Sequence, residues 1–155
     1  MSNIENKMTK LGYKLPTESA PLANYVPVVI TEKSKLIFTA GHLPKNNKGE
    51  IIVGKLGNSI SNEDGYEAAK TAALATLGSI KSKIGSLDNI KRIVKLLVMV
   101  NSTADFKDHP AIANGASDLF VEIFGEKGFH ARSAVGVASL PLGAAVEIDL
   151  VAETH

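Results

Sequence analysis

"FHARSAVGVASLPLGAAVEIDLVAE", residues 129–153, is the stretch that decides the fold: two β-patterned runs joined by a Leu-Pro turn, with charges where an apolar pair should have none. In the second run Ala144, Val146, Ile148 and Leu150 alternate with Ala145, Glu147, Asp149 and Val151, so the first set suits a packed face and the second faces away. In the first run Ser133, Val135 and Val137 alternate with Arg132, Ala134, Gly136 and Ala138. A turn in "SLPLG" makes the two runs a hairpin with Gly136 roughly opposite Glu147. Arg132 then lies about four residues further along its strand, roughly 13 Å away at 3.3 Å per residue, too far for a direct pair. One phase of each strand is small or charged, and the two phases are expected to share a face, with Arg132 and Glu147 both on it. Such a face is poorly suited to a second layer of helices and well suited to the same face of a neighbouring copy. Two readings of the charges stay open. Either Arg132 is a strand-end surface residue and Glu147 pairs with a lysine, or Glu147 is a carboxylate whose burial raises its pKa into a general-base environment.

Working outward, "NIKRIVKLLVMVN" reads as a long strand and "HPAIANGASDLFVEIFGEKG" as a helix with Ile112, Leu119, Phe120 and Ile123 inward. The clearest helix opens at Ser61, with Asp64 three residues on, and carries Tyr66, Ala69, Ala73, Leu77, Ile80 and Ile84 on one stripe. "VPVVI" and "KLIFTAG" are strands joined by "TEKS", and "LPKNNKGEIIV" supplies a turn and a further short strand. "SNIENKMTKLGY" is expected to be a short helix capped by Ser2, with Ile4, Met8 and Leu11 on one face and Gly12 as its stop. "KLPTESAPLANY", with two prolines, is expected to be irregular. The order β-β-β-α-β-α-β-β implies an α+β fold of two layers: a mixed sheet of five or six strands with two main helices on one face.

Composition bounds the function. The 155 residues are 45% hydrophobic and 21% charged, which fits one domain over 1–155. A formal charge of +1 gives no strong pull toward nucleic acid or an anionic membrane. The absence of cysteine excludes disulfides, thiolate metal sites and a cysteine nucleophile. No apolar run approaches the roughly 18 residues of a membrane span, and the expected location is the cytoplasm. His42 and His130 are placed so that either could line a pocket, but no histidine pair has a metal-ligand spacing and structural or incidental roles are expected for both, while His109, beside Pro110, reads as a loop or helix-start residue.

The stretch "ARSAVGVASLPLGAAVEIDLVA" closely resembles the C-terminal signature of the Rid family, also called YjgF-like. "KLIFTAGHLPKNNKGEII" is similar to that family's strand and Gly-x-x-Pro turn, and "ADFKDHPAIANGASDLFVEIFG" to its Asp-Phe, Asn, Phe helix. The resemblance covers about residues 20 to 153 and implies that residues 1–20, with their short helix, are an N-terminal extension. It implies a chorismate-mutase-like fold, a homotrimer whose sheets form a central barrel, and active sites in the clefts between subunits. It also implies hydrolysis of 2-imino or enamine acids to 2-keto acids and ammonia, without metal or organic cofactor. By the same resemblance Arg132 is the carboxylate-binding arginine and Glu147 the acid of the site. Gly41, Tyr25 and Asn114 fall on substrate-binding positions, and Ala134 stands where some relatives have cysteine.

The chemistry suits these types: a guanidinium fork matches a planar carboxylate with two parallel hydrogen bonds, and a carboxylate can hold and deprotonate a water. The sequence departs from the pattern at Ala40, where many relatives carry a hydroxyl, and in "VPVV" after Tyr25, which makes the pocket rim less polar. Two alternatives remain, a non-catalytic binder of small carboxylates or chaperone-like trimer, and an endoribonuclease. The near-neutral charge and 5% aromatics weigh against the second.

Overall fold

The computed structural model describes residues 3–17, 20, 21 and 23–155; Ser2, the expected cap, lies outside them. Helix α1 (Asn3–Lys10) buries Met8 and ends before Gly12, whose φ of +81° suits glycine. Leu11 stays 40% exposed instead of joining the inward face. The first-turn N–H groups of Asn3 and Ile4 donate to the carboxylate of Asp88, each at 2.8 Å, so a distant acid caps this helix.

Strands β1 (Val28–Ile30) and β2 (Leu36–Thr39) form the expected antiparallel hairpin. Helix α2 (Asn62–Ile84) opens as its sequence predicts, with the Ser61 hydroxyl accepting from the Asp64 N–H at 3.1 Å. Strand β3 (Ile90–Asn101), helix α3 (His109–Phe124), strand β4 (Ala131–Val137) and strand β5 (Val146–Thr154) complete the order. The five strands run β1-β2-β5-β3-β4, with β3 and β4 parallel and the remaining neighbours antiparallel, and α2 and α3 cover one face. This is the expected α+β arrangement. Among the described residues no helix is long and apolar enough to cross a membrane.

Three expectations are corrected. The third short strand is absent: Ile51 and Val53 make only isolated bridges, to Lys45 and Ala144, and the chain leaves the extended region at Gly54 and Gly57. The opening stretch is not a hairpin, because β3 lies between β4 and β5. The turn after β4, with Pro141 and the left-handed Leu142 and Gly143, carries the chain across β3, whose long apolar run has to be covered on both edges. Gly136 therefore faces Val100, and Glu147 faces Met99.

The third correction concerns the faces. Leu96 pairs with Arg132 on one side and Leu150 on the other, so Arg132 shares the helix-covered face with buried leucines. Met99 pairs with Val135 and Glu147, which puts those two on the uncovered face. Arg132 and Glu147 thus point to opposite sides of the sheet. The uncovered face is not built of alanine and glycine; it presents Val29, Phe38 and Val135, which are 52%, 43% and 43% exposed, around Glu147 and Asp149.

The helices approach closely because α2 brings Gly65, Ala68, Ala69, Ala72 and Ala73 inward and α3 brings Gly115. A Cβ on Gly115 would overlap the carbonyl oxygen of Tyr66 and lie 3.3 Å from Ala69. Gly115→Ala forces two backbones apart, an overpacking cost of about 1–3 kcal/mol. The expected result in thermal unfolding is a midpoint lowered by about 2–12 °C, at about 2–4 °C per kcal/mol for a domain of this size.

Candidate functional site

The expected site residues fall into two groups on opposite sides of the sheet. The first is built on α3 and β4. Asn114 and Ser117 lie three residues apart on one face of α3, and both receive Nη1 of Arg132, Asn114 Oδ1 at 2.8 Å and Ser117 Oγ at 3.1 Å. Both Nη1 protons are then used, while Nε and Nη2 have no hydrogen-bond partner among the described residues. That free edge is the one on which a guanidinium accommodates a carboxylate side-on. Ala134, two residues on, is half-buried against the core and offers no polar atom beyond its backbone.

Gly41 carries the second group. The chain leaving β2 runs beside β5, where His42 and Ile148 exchange backbone hydrogen bonds at 2.8 and 3.0 Å. This puts Gly41 against Glu147 so closely that a Cβ on Gly41 would overlap the Glu147 carboxylate. Glycine is required here for the room it leaves, since its φ is ordinary. Burial, then the nearby charge of Asp149, pushes the Glu147 carboxyl above the ordinary glutamate range, and burial raises Asp149 as well. Neither carboxylate has an ion pair among the described residues, so the lysine partner considered for Glu147 is not found. Tyr25, 56% exposed, and Gly41 line a cavity of about 290 Å³ that reaches Ala75 and Ser79 of α2 on the helix-covered side and does not include Glu147 in its lining.

The histidines take defined places. His42 Nδ1 lies 2.9 Å from the Ala40 carbonyl and Nε2 2.8 Å from the Ser79 hydroxyl, which ties the Gly41 loop to α2. His109 opens α3, with Nε2 3.2 Å from Ser102 Oγ and its ring edge-on to Phe106. His130 Nε2 lies 2.9 Å from the Ser117 hydroxyl.

Within one chain Arg132 and Glu147 are not brought together. Their β3 partners are three residues apart and the strands two spacings apart, so about 14 Å separates their backbones, with the sheet between the side chains. The expected separation holds, for a different reason than a hairpin. Sequence reasoning missed Ser117, although its spacing of three from Asn114 on a helix was a usable signal.

The comparisons extend over nearly the whole chain. Protein TCP17 of Trypanosoma cruzi is 46% identical over 153 residues, 98% of this chain and 94% of its own length. The Agrobacterium tumefaciens protein Atu1372, of unknown function, has a solved structure that superposes with a TM-score of 0.89 at 38% identity, covering 98% of this chain and 94% of that one. A Shewanella oneidensis MR-1 structure that carries an endoribonuclease label reaches a TM-score of 0.92 at 33% identity, covering 98% and 99%. A family model described as "YjgF/chorismate_mutase-like, putative endoribonuclease" matches residues 5–154, and the chain belongs to that family.

Proposed function

We propose that this protein is an enamine/imine deaminase, hydrolysing 2-imino acids to 2-keto acids and ammonia. The observation that carries the reading is the Arg132 guanidinium, tied to α3 through Nη1 and open along its Nε and Nη2 edge. A 2-imino acid presents the planar carboxylate that this edge receives.

The reacting water belongs to Glu147, which raises the need for a second copy of the chain. Arg132 of one copy and Gly41 with Glu147 of the next form a shared cleft in a homotrimer. The exposed valines and Phe38 on the uncovered sheet face and the two carboxylates with no ion pair among the described residues support that assembly. A monomer in sedimentation at micromolar concentration overturns the shared cleft.

In the reaction, a water oxygen bonds to the imine carbon while Glu147 takes one of its protons. The C=N π pair moves to nitrogen, which takes up that proton to give a carbinolamine. The remaining hydroxyl proton passes to nitrogen as the C=O bond forms and the C–N bond breaks, releasing ammonia and the keto acid. Positioning the reactive imine beside one held water supplies much of the acceleration.

The endoribonuclease label of the relatives asks for a basic, aromatic groove, and a chain of charge +1 with 5% aromatics is poorly furnished for one. An amino-acid oxidase generating 2-iminobutanoate in place tests the proposal. The expected result is faster loss of imine absorbance with this protein than without it; identical decay overturns the deaminase reading.

A further inference from the structure

Behind Arg132 stands a hydrogen-bond chain that no part of the proposed chemistry uses. His130 Nδ1 lies 2.6 Å from the Gly128 carbonyl, and Nε2 lies 2.9 Å from Ser117 Oγ. A carbonyl only accepts, so Nδ1 carries the proton and, in the neutral ring, Nε2 offers a lone pair. Ser117 then donates its hydroxyl proton to Nε2, which directs its oxygen lone pairs elsewhere. Arg132 Nη1 cannot accept, and it donates to that same oxygen at 3.1 Å. The chain therefore has one polarity: Arg132 to Ser117, Ser117 to His130, His130 to the Gly128 carbonyl.

The surroundings hold the chain in place. His130, the residue before β4, and Arg132, two positions on, both reach Ser117 of α3 and so lie on the same side of the sheet. The imidazole is half-buried with its ring edge-on to Phe120, at 5.8 Å between centroids and 90° between planes. Gly128 has no room for a side chain, since a Cβ there would overlap the Phe120 carbonyl, so the turn that supplies the terminal acceptor is fixed against α3. Asn114 takes the other Nη1 proton at 2.8 Å, and two acceptors on one nitrogen set the plane of a rigid guanidinium.

We infer that His130, acting through the Ser117 hydroxyl, is a positioning residue that holds the Arg132 guanidinium with its Nε and Nη2 edge turned outward. The inference rests on the proposed carboxylate-binding role of Arg132. Burial, together with the Arg132 charge, keeps His130 below the ordinary histidine range, which favours the neutral ring that the chain requires. The groups facing the ring are Arg132 from β4, Ser117 and Phe120 from α3, and the Gly128 carbonyl from the turn before β4, so Arg132 is the charged one among them.

The test uses the full chain and 2-oxobutanoate, a 2-keto acid, as the carboxylate probe, with binding measured by calorimetry and His130 followed by nitrogen-15 NMR. Ser117→Ala is expected to weaken binding about tenfold, as loss of one hydrogen bond to a charged group does, and His130→Ala by up to as much, because a Ser117 hydroxyl without its acceptor no longer keeps its lone pairs on Arg132 Nη1. Ser117→Thr and His130→Gln, which keep the hydroxyl and the ring's acceptor function, are expected to bind within a few-fold of wild type. The double variant Ser117→Ala with His130→Ala is expected to be no weaker than Ser117→Ala alone, because the residues act in series. In Arg132→Gln the His130 pKa is expected to rise, since a repelling positive charge is removed. Wild-type binding by both alanine variants, with Arg132→Ala binding lost, overturns the positioning role and leaves the carboxylate reading intact. Wild-type binding by Arg132→Ala overturns the carboxylate reading and this inference with it. If His130→Ala does not fold, the Ser117 pair decides alone.

Discussion

Arg132→Ala lowers kcat/KM for 2-imino acid hydrolysis by about 10²–10³-fold, the loss of two charge-assisted hydrogen bonds at about 1.5–3 kcal/mol each, discounted for partial solvation of the site. The carboxylate is held in the ground state as well as in the transition state, so most of the loss falls on KM. Arg132→Lys recovers little, because an ammonium on a flexible stem cannot present two parallel donors. The fold is expected to survive: Asn114 is exposed and Ser117 half-buried, and both can turn to water when Nη1 is gone. Steady-state kinetics with imine generated in place, alongside thermal unfolding, separate the two effects. Unchanged kcat/KM removes Arg132 from the site.

Glu147→Gln lowers kcat by about 10²–10⁴-fold, the range for loss of a positioned general base, with KM little changed. The pH dependence follows from the raised Glu147 pKa. The protonated carboxyl cannot take the water's proton, so wild-type activity falls as pH drops through a value above the ordinary glutamate range, about 4.3. Stability runs the opposite way. A carboxyl whose folded pKa is raised binds more protons folded than unfolded, so stability declines as pH rises from the ordinary value through the raised one. Glu147→Gln removes that decline. Its unfolding midpoint should exceed wild type's at pH 8 and converge with it near pH 4. An equal difference at both pH values would show that folding does not raise the Glu147 pKa.

The helices were legible because their signals are local. Ser61 with Asp64, and the three-four recurrence from Ala69 to Ile80, need only neighbours along the chain. The stripe on α2 was read too narrow: Ala68, Ala72 and Thr76 are buried too, because that helix packs against both the sheet and α3. Strand neighbours are a different matter. Nothing between residues 129 and 153 records that β3, thirty residues earlier, would slip between the two runs, since pairing depends on edges distant in sequence. The same limit misplaced Arg132. Alternation divided β4 correctly into two phases, but the phase that faces the helices is settled by register with Leu96. On both sides of the sheet the candidates that fall on family motifs were legible, Gly41 and Glu147 on one and Arg132 and Asn114 on the other, whereas His130 and Ser117 carry no motif.

The placement of β5 between β2 and β3 has a consequence for synthesis. β5 follows every other strand along the chain yet lies inside the sheet, so a nascent chain can complete neither half of it until β5 has emerged. Until then β2 and β3 both leave the ribosome with an unpaired edge, and both edges are apolar. The interval between emergence of β3 and arrival of β5 is when this chain is most exposed to pairing with a copy of itself, and the charges of Lys91, Arg92 and Lys95 along β3 are suitably placed to discourage it.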